Sequence, residues 1–153
     1  MIDIFVNSEL SVLRFLNSLH NPITDKFFVF ITHLGDKGII WILIGLILCF
    51  LPKYRRSGIT MLLSLLLMLV IGNLTIKPIV ARIRPYEYID GIKLLIEKPS
   101  DFSFPSGHTF SSFTAAYSVF LYHKREGVAF LALAFLIAFS RLYLCVHFPS
   151  DVL

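Results

Sequence analysis

Charged side chains are scarce in this 153-residue chain, in which only 16% of the residues are Asp, Glu, Lys or Arg. Apolar residues make up 56% and the mean hydropathy is +0.77, whereas soluble domains are much more polar. This composition excludes a disordered tail, a disulfide-stapled secreted domain and a cytosolic enzyme with an ordinary core. It predicts an integral membrane protein.

Motifs for metals and disulfides are also missing. The two cysteines, Cys49 and Cys145, lie in separate apolar runs without metal-ligand spacing. The sequence has no Walker loop, DxD pair or HExxH motif, so it indicates no metal and no other cofactor. The formal net charge of +4 comes from Lys and Arg at the ends of apolar runs and forms no basic stripe, which argues against nucleic acid as a partner.

Long uncharged runs predict membrane-spanning helices. The clearest run extends from Gly58 to Ile76, and two more extend from Ser106 to Tyr122 and from Gly127 to Val146. Gly38 to Leu51 is short against the roughly 20 residues that cross a bilayer, so this span must borrow flanking residues. Strands are excluded because the runs are too long for strands and do not alternate.

The segments outside these runs complete the predicted fold. Residues 2–20 are amphipathic and too polar to span, which predicts an interfacial helix. We expect Phe27 to Leu34, before the turn Gly35-Asp36-Lys37-Gly38, to be surface structure at the membrane boundary. Residues 77–105 form a polar loop. The predicted fold class is therefore all-α, a polytopic transmembrane helix bundle with an N-terminal interfacial helix and a polar loop at its active end.

We expect residues 1–153 to form a single membrane domain. Pro149-Ser150-Asp151 is a helix-start signal, yet the sequence stops at Leu153. The domain is therefore expected to lack a final C-terminal transmembrane helix. Basic residues crowd the short loops 53–56 and 123–126, which predicts that these loops face the cytoplasm and that the opposite end of the bundle faces outside.

Three polar clusters are expected at that opposite end. Lys77 and Arg84 follow the second span, where such cations by themselves are most often interfacial anchors. In the second cluster, Ser106 is a good helix N-cap, Gly107 lets the backbone approach a ligand, and His108 titrates near neutral pH. An ordinary capped helix is the competing interpretation of that second cluster.

The third cluster runs from Ser140 to Asp151. Arg141 lies inside a predicted membrane helix with no acid within a turn, so it needs an anion. Pro149 breaks the helix after His147, which lets Asp151 fold back and hold one imidazole nitrogen. Taken together, the clusters offer what metal-free phosphoryl transfer requires: cations for the phosphate oxygens, a histidine to attack phosphorus and a histidine to protonate the departing oxygen.

The spacing within these clusters resembles the three-part signature of the type-2 phosphatidic acid phosphatase superfamily, which includes bacterial acid phosphatases and vanadium haloperoxidases. The matching motifs are Lys77-x6-Arg84-Pro85, Pro105-Ser106-Gly107-His108 and Ser140-Arg141-x5-His147-x3-Asp151. The resemblance is tight over residues 77–151 and extends over residues 24–76 only in layout. It implies a membrane lipid phosphatase with its site at the outer face of the bacterial cytoplasmic membrane.

The resemblance also implies a role for each signature residue. His147 would be the nucleophile that forms a phosphohistidine, Asp151 would orient and activate it, and His108 would be the acid and then the base. The phosphate-binding residues would be Lys77, Arg84, Ser106, Gly107 and Arg141. The implied substrate is a lipid phosphate or pyrophosphate, such as phosphatidylglycerol phosphate, phosphatidic acid or undecaprenyl pyrophosphate, hydrolysed without a metal.

Two alternatives remain at this point. A non-catalytic membrane protein that recognises lipid phosphate would need the cations but neither histidine nor Asp151. Haloperoxidase-like oxidation with bound vanadate conflicts with the membrane composition and with the small loop 86–104. The sequence does not separate a glycerolipid from a polyprenyl substrate, and it does not predict an oligomeric state.

Overall fold

Helices dominate the structure, a computed structural model that describes residues 2–89 and 91–153, with side chains from residue 4 onward. In this part of the chain there is no strand, and the all-α prediction is confirmed. The helices are α1 (Ile2–Ser18), α2 (Pro22–Leu34), α3 (Ile39–Phe50), α4 (Arg55–Met68), α5 (Lys77–Val80), α6 (Gly107–Tyr122), α7 (Lys124–Tyr143) and α8 (Pro149–Val152). A π-helix, Leu69–Ile76, joins α4 to α5, and 3₁₀ turns lie at Asp36–Gly38 and Pro85–Glu87.

Three helical stretches of the described chain are long and apolar enough to cross a membrane. They are Pro22–Phe50, Arg55–Glu87 and Lys124–Tyr143, which confirms a polytopic membrane protein. The predicted fourth span forms α6, which is shorter than these three and packs against both α4 and α7. Its inward face consists of small and hydroxyl-bearing residues, as suits close helix packing inside a membrane bundle.

The prediction of surface structure for Phe27 to Leu34 is wrong. These residues belong to α2, which Asn21 caps by accepting hydrogen bonds from the backbone N–H groups of Ile23 and Thr24 at 3.1 Å. Ile31 and Thr32 are buried, and α2 packs against α7. The polar side chains of α2 suggested a surface segment, but Thr24, Asp25 and Thr32 face α7, where they hydrogen-bond with Tyr143 and Arg141.

The predicted turn between α2 and α3 is confirmed as the 3₁₀ turn Asp36–Gly38. Lys37 (φ 52°) and Gly38 (φ 67°) both adopt left-handed backbone conformations there. The stretch Pro22–Phe50 is therefore two helices joined at a bend, and α3 obtains its missing length from α2.

The N-terminal helix α1 lies against the C-terminal part of the bundle. Leu10 and Leu13 are buried and pack with Cys145 and Phe148. Apolar side chains on the rest of the helix stay exposed, among them Phe5 and Phe15. The predicted helix over residues 2–20 is confirmed, and its interfacial location stays a prediction.

The two basic loops lie together at one end of the bundle. Tyr54 Oη donates to Glu126 Oε1 at 2.9 Å, and the Tyr54 ring packs on His123 with ring centroids 4.5 Å apart. Lys53 Nζ lies 3.5 Å from the same Glu126 oxygen. These contacts join the α3–α4 hairpin to the α6–α7 hairpin at the end opposite the three polar clusters.

Close packing between α3 and α4 depends on Gly58. A Cβ atom at this position would lie 2.7 Å from the backbone nitrogen of Cys49 and 2.7 Å from the backbone oxygen of Gly45. Neither contact can be relieved by rotating a side chain. Small residues at such crossings let two helix backbones approach each other in a membrane.

Replacing Gly58 with valine should therefore force α3 and α4 apart. We expect Gly58→Val to lower the free energy of unfolding by about 1–3 kcal/mol, as overpacking does in other closely packed sites. Thermal unfolding in detergent micelles measures this, with Leu63→Val on the exposed face of α4 as the control. Equal midpoints for the two variants would contradict the close-packing argument.

Candidate active site

A cavity of about 1170 Å³ lies where the polar clusters meet. Six of the eight predicted site residues line it, namely Lys77, Arg84, Gly107, His108, Arg141 and His147. Ser106 and Asp151 are buried behind this wall. The structure thus collects residues from α5, the following loop, α6 and α7 around one space.

Part of the cavity wall, called here the apolar flank, is apolar. It consists of side chains from α3, α4 and the π-helix, namely Ile42, Leu62, Leu65, Leu66, Met68 and Leu69. Leu95 and Ile96 of loop 86–104 line the cavity as well. The wall of the cavity therefore carries three cations as well as this apolar flank.

Arg84 is buried and contacts His147 directly. Its Nη1 donates to the backbone oxygen of Val146 at 2.6 Å and lies 3.2 Å from His147 Nε2. A guanidinium carries only donors, so His147 Nε2 must be the acceptor in this contact. The ring proton of a neutral His147 then resides on Nδ1, and the Nε2 lone pair accepts from Arg84 at the cavity wall.

His147 Nδ1 faces the carboxylate of Asp151. Nδ1 lies 3.4 Å from Asp151 Oδ2, in an orientation that is not a good hydrogen bond. Burial lowers the pKa of His147 to about 3, against the opposing effect of Asp151. The charges of Arg141 and Arg84 add to the lowering. His147 is therefore neutral at physiological pH, which is the protonation state that a nitrogen nucleophile needs.

Arg141 is buried near the end of α7. Its Nη1 donates to Thr32 Oγ1 of α2 at 2.5 Å, and its Nε has no hydrogen-bond partner. Among the described residues, no carboxylate lies within ion-pair distance of Arg141, as the sequence predicts. A buried guanidinium with a single neutral partner retains donors for an oxyanion.

Asp101, from the polar loop, forms ion pairs with Lys77 and Arg84, the two other cations predicted to bind phosphate. Its Oδ2 lies 2.5 Å from Lys77 Nζ, and its Oδ1 accepts from Arg84 Nη2 at 2.6 Å. Burial alone would raise the pKa of Asp101, but the contacts with Lys77 and Arg84 outweigh it and lower the pKa to about 2. Asp101 is thus ionised at any physiological pH and neutralises these cations.

His108 contacts a second carboxylate, that of Asp36 in the turn between α2 and α3. His108 Nε2 lies 3.0 Å from Asp36 Oδ1, and His33 Nδ1 lies 2.8 Å from Asp36 Oδ2. An ionised carboxylate accepts only, so His108 carries a proton on Nε2. Asp36 and the exposed His33 link His108 to the surface.

Ser106 caps α6 as predicted, since its Oγ accepts from the backbone N–H of Thr109 at 3.5 Å and from Thr109 Oγ1 at 3.1 Å. The backbone N–H of Ser106 donates to the carbonyl oxygen of Asp151 at 3.0 Å. Ser106 therefore joins the second cluster to the third. Its predicted contact with phosphate stays a prediction.

Left-handed backbone conformations lie close to residues of the site in three places. Lys37 follows Asp36, Ala81 (φ 46°) lies between Lys77 and Arg84, and Cys145 (φ 54°) lies two residues before His147. Such conformations are unfavourable for residues other than glycine and often occur at functional sites. At Cys145 the N–H groups of Cys145 and Val146 donate to Leu142 and Arg141, which is a Schellman turn that redirects the chain after α7.

Sequence reasoning missed several residues that contact the predicted site. Thr32, Asp36 and Asp101 come from segments distant in sequence, and their contacts depend on the fold. Asn73 lies in the π-helix, lines the cavity and has a buried Oδ1 without a partner. Arg82 and Ser103 contact Asp151. Sequence reasoning assigned no role to Arg82, even though it lies between Lys77 and Arg84 of the first motif. Of these residues, only Asn73 could have been identified from the sequence, because it is a polar residue within an apolar span.

The site contains histidine and aspartate side chains, which are possible ligands for a metal ion. Within residues 4–89 and 91–153, no group of three or more His, Cys, Asp or Glu side chains is placed to hold one. The charges that face the cavity are instead those of Lys77, Arg84 and Arg141.

The fold and the site define a helical membrane protein with a cationic, histidine-containing cavity at one end. The chain belongs to the PAP2 superfamily, whose family model matches residues 57–153. It is therefore a membrane phosphate hydrolase, and the family resemblance found in the sequence is confirmed.

Individual relatives agree with this assignment. The chain is 28% identical to an undecaprenyl-diphosphatase of Sulfolobus acidocaldarius, over 97% of this chain and 71% of the relative. It is 32% identical to phosphatidylglycerophosphatase B of Bacillus subtilis, over 88% of this chain and 70% of the relative. The crystal structure of a transmembrane PAP2 type phosphatidylglycerolphosphate phosphatase from Bacillus subtilis superposes with a TM-score of 0.75 at 26% identity, over 95% of this chain and 76% of that chain.

The position of Asp101 predicts competition with bound oxyanions. We expect Asp101→Asn to bind vanadate about 3- to 10-fold more tightly, because the neutral amide leaves Lys77 and Arg84 unpaired. The gain should be the same at pH 5 and pH 8, since the lowered pKa of Asp101 keeps the native carboxylate ionised at both.

Titration calorimetry with vanadate measures this affinity in purified protein. Glu126→Gln, at the opposite end of the bundle, is the charge-matched control. Weaker vanadate binding in Asp101→Asn would show that Asp101 orients the two cations and does not compete for them.

Proposed function

We propose that this protein hydrolyses a lipid phosphate or lipid pyrophosphate through a phosphohistidine on His147, without a metal ion. The observation that carries the proposal is the unprotonated Nε2 of His147, which faces a cavity lined by Lys77, Arg84 and Arg141. A nucleophile and three cations in one cavity are what phosphoryl transfer needs.

The reaction would proceed in two displacements. In the first, His147 Nε2 forms a bond to phosphorus while the bond to the lipid oxygen breaks, and a doubly protonated His108 gives one of its two ring protons to that oxygen. In the second, His108 takes a proton from water, the water oxygen attacks phosphorus, and the bond to His147 breaks. Inorganic phosphate leaves, and both histidines return to their starting protonation states.

The cations would stabilise the charge that spreads over the non-bridging oxygens during each displacement. Lys77 and Arg84 become available when phosphate replaces the carboxylate of Asp101, and Arg141 has donors beyond its bond to Thr32. Gly107 lies on the cavity wall at the start of α6, where backbone N–H groups face an anion. Asp151 would stabilise the positive charge that develops on the His147 ring.

The apolar flank supports a lipid as the substrate. It lies between α3 and α4, within the stretches that are apolar enough to cross a membrane, so an acyl or prenyl chain can lie in it while the phosphate meets the cations. The names of the relatives agree with this class, since they act on undecaprenyl diphosphate and phosphatidylglycerophosphate. Both kinds of chain fit an apolar wall of leucine and isoleucine.

Phosphate release from purified lipids tests the proposal. We expect turnover of phosphatidylglycerol phosphate, phosphatidic acid or undecaprenyl pyrophosphate by the wild-type protein in excess EDTA, and no turnover by His147→Ala. Binding of a lipid phosphate without release would favour the non-catalytic alternative. Activity that is lost with EDTA and restored by a divalent ion would contradict the metal-free mechanism.

Trapping with a radiolabelled aryl phosphate separates the roles of the two histidines. His147→Ala should form no acid-labile label, even though this leaving group departs unprotonated. His108→Ala should form the label and release it slowly, since a general base is worth about 10²–10⁴-fold in rate. Label in His147→Ala but not in His108→Ala would show that the two roles are reversed.

We also propose that the site faces the outside of the cell. The loops with Lys53, Arg55, Arg56, Lys124 and Arg125 lie together at the end opposite the cavity, where positive charge orients short loops toward the cytoplasm. In intact cells, a cysteine at position 93 should react with an impermeant maleimide and a cysteine at position 54 should not. Labelling of position 54 alone would reverse the orientation.

A further inference from the structure

Arg82 lies inside the first motif, two residues before Arg84, yet its side chain does not line the cavity. It points instead behind the catalytic wall, where its Nη1 donates to Asp151 Oδ1 at 2.6 Å and to Ser150 Oγ at 2.7 Å. The guanidinium also lies over the Phe148 ring, with its central carbon 4.1 Å from the ring centroid. Arg82 thus contacts three residues of the segment that directly follows His147.

The carboxylate of Asp151 is held on both oxygens by groups other than His147. Oδ1 accepts from Arg82, while Oδ2 accepts from Ser103 Oγ at 2.5 Å and from the backbone N–H of Phe148 at 2.8 Å. These bonds fix the carboxylate with Oδ2 at 3.4 Å from His147 Nδ1. The groups that hold the Asp151 carboxylate therefore determine its distance and orientation relative to His147.

A glutamate on the N-terminal helix holds Arg82 in turn. Glu9 of α1 is 5% exposed, and its Oε2 lies 2.6 Å from Arg82 Nη2. Its Oε1 accepts from the backbone N–H of Ser150 at 2.8 Å. Without Arg82, two buried carboxylates, Glu9 and Asp151, would lose their shared cation, which is costly for buried charges.

We propose that Arg82 is a positioning residue for Asp151, and that Glu9 anchors it, so that helix α1 takes part in orienting the nucleophile His147. This inference rests on the proposed phosphohistidine mechanism. Neither residue touches the cavity, so both act through Asp151.

The charge of Arg82 has a second consequence. Asp151 faces His147, Arg82 and Ser103, while His147 also faces Arg84 and Arg141. Removing the positive charge at Arg82 leaves Asp151 with more uncompensated negative charge, which strengthens proton binding by the Asp151–His147 pair. A protonated His147 cannot attack phosphorus. The acid limb of the activity profile should therefore move to higher pH.

The test compares the variants Arg82→Gln, Arg82→Lys and Glu9→Gln with the wild-type protein, using an aryl phosphate and a lipid phosphate. We expect Arg82→Gln to slow phosphohistidine formation about 10- to 100-fold, as loss of an outer partner of a catalytic group does, with KM nearly unchanged. The acid limb of the pH–activity profile of Arg82→Gln should lie at higher pH than that of the wild-type protein. Arg82→Lys should have its acid limb at the wild-type pH, because lysine keeps the positive charge. It should restore only part of the rate, because a single ammonium group cannot donate to Asp151 and Glu9 with the geometry of a guanidinium.

Glu9→Gln should reduce the rate several-fold and leave the acid limb unshifted or lower, because Arg82 keeps its charge and loses a competing anion. Arg14→Gln on the exposed face of α1 and Glu126→Gln at the opposite end are the charge-matched controls and should behave as wild type. Vanadate binding by each variant verifies that the cavity is intact.

Two results would overturn the inference. One is an Arg82→Gln variant within twofold of the wild-type rate. The other is a loss of rate in Arg82→Gln and Arg82→Lys alike with an unmoved acid limb, which is what a purely structural ion pair predicts. If Arg82→Gln does not fold, the comparison of Arg82→Lys with Glu9→Gln gives the same discrimination. Failure of the proposed function would look different, because the wild-type protein itself would then form no label or His147→Ala would form it.

Discussion

The structure depends on one constraint, which is that Lys77, Arg84 and Arg141 are buried together at one end of an apolar bundle. Buried cations are costly unless each finds a partner. The partners come from separate parts of the chain: Asp101 from the long loop, the Val146 carbonyl from the turn after α7, and Thr32 from α2. Satisfying the cations therefore also fixes how these segments meet.

Backbone irregularities surround this charged end, whereas the opposite end is regular. The π-helix Leu69–Ile76 leads to Lys77, and the left-handed residues Lys37, Ala81 and Cys145 lie next to site residues. Each irregularity is unfavourable by itself. Close packing of α6 with α4 and α7, and of α3 with α4, stabilises the bundle enough to tolerate them.

The site divides its work between two layers. In the proposed mechanism, side chains on the cavity wall would meet phosphate and lipid, while a layer behind them, made of Asp151, Arg82, Ser103 and Glu9, would position the nucleophile. This second layer explains why a polar residue of α1 is buried in a helix that otherwise packs through leucines. The residues of the cavity wall are those expected from membership of the PAP2 superfamily. The proposed role of Arg82 extends the site to the layer behind that wall.

The sequence by itself determined the membrane class, the helical fold and the eight signature residues, because hydropathy and motif spacing are local properties that survive without a structure. It misjudged Phe27 to Leu34, since the buried face of α2 exists only where α7 packs against it. Only the tertiary structure decided that Asp101 pairs with Lys77 and Arg84, that Asp36 pairs with His108 and that Glu9 is linked to Asp151 through Arg82. Those pairings join residues far apart along the chain, and no local pattern encodes which carboxylate a buried cation will meet.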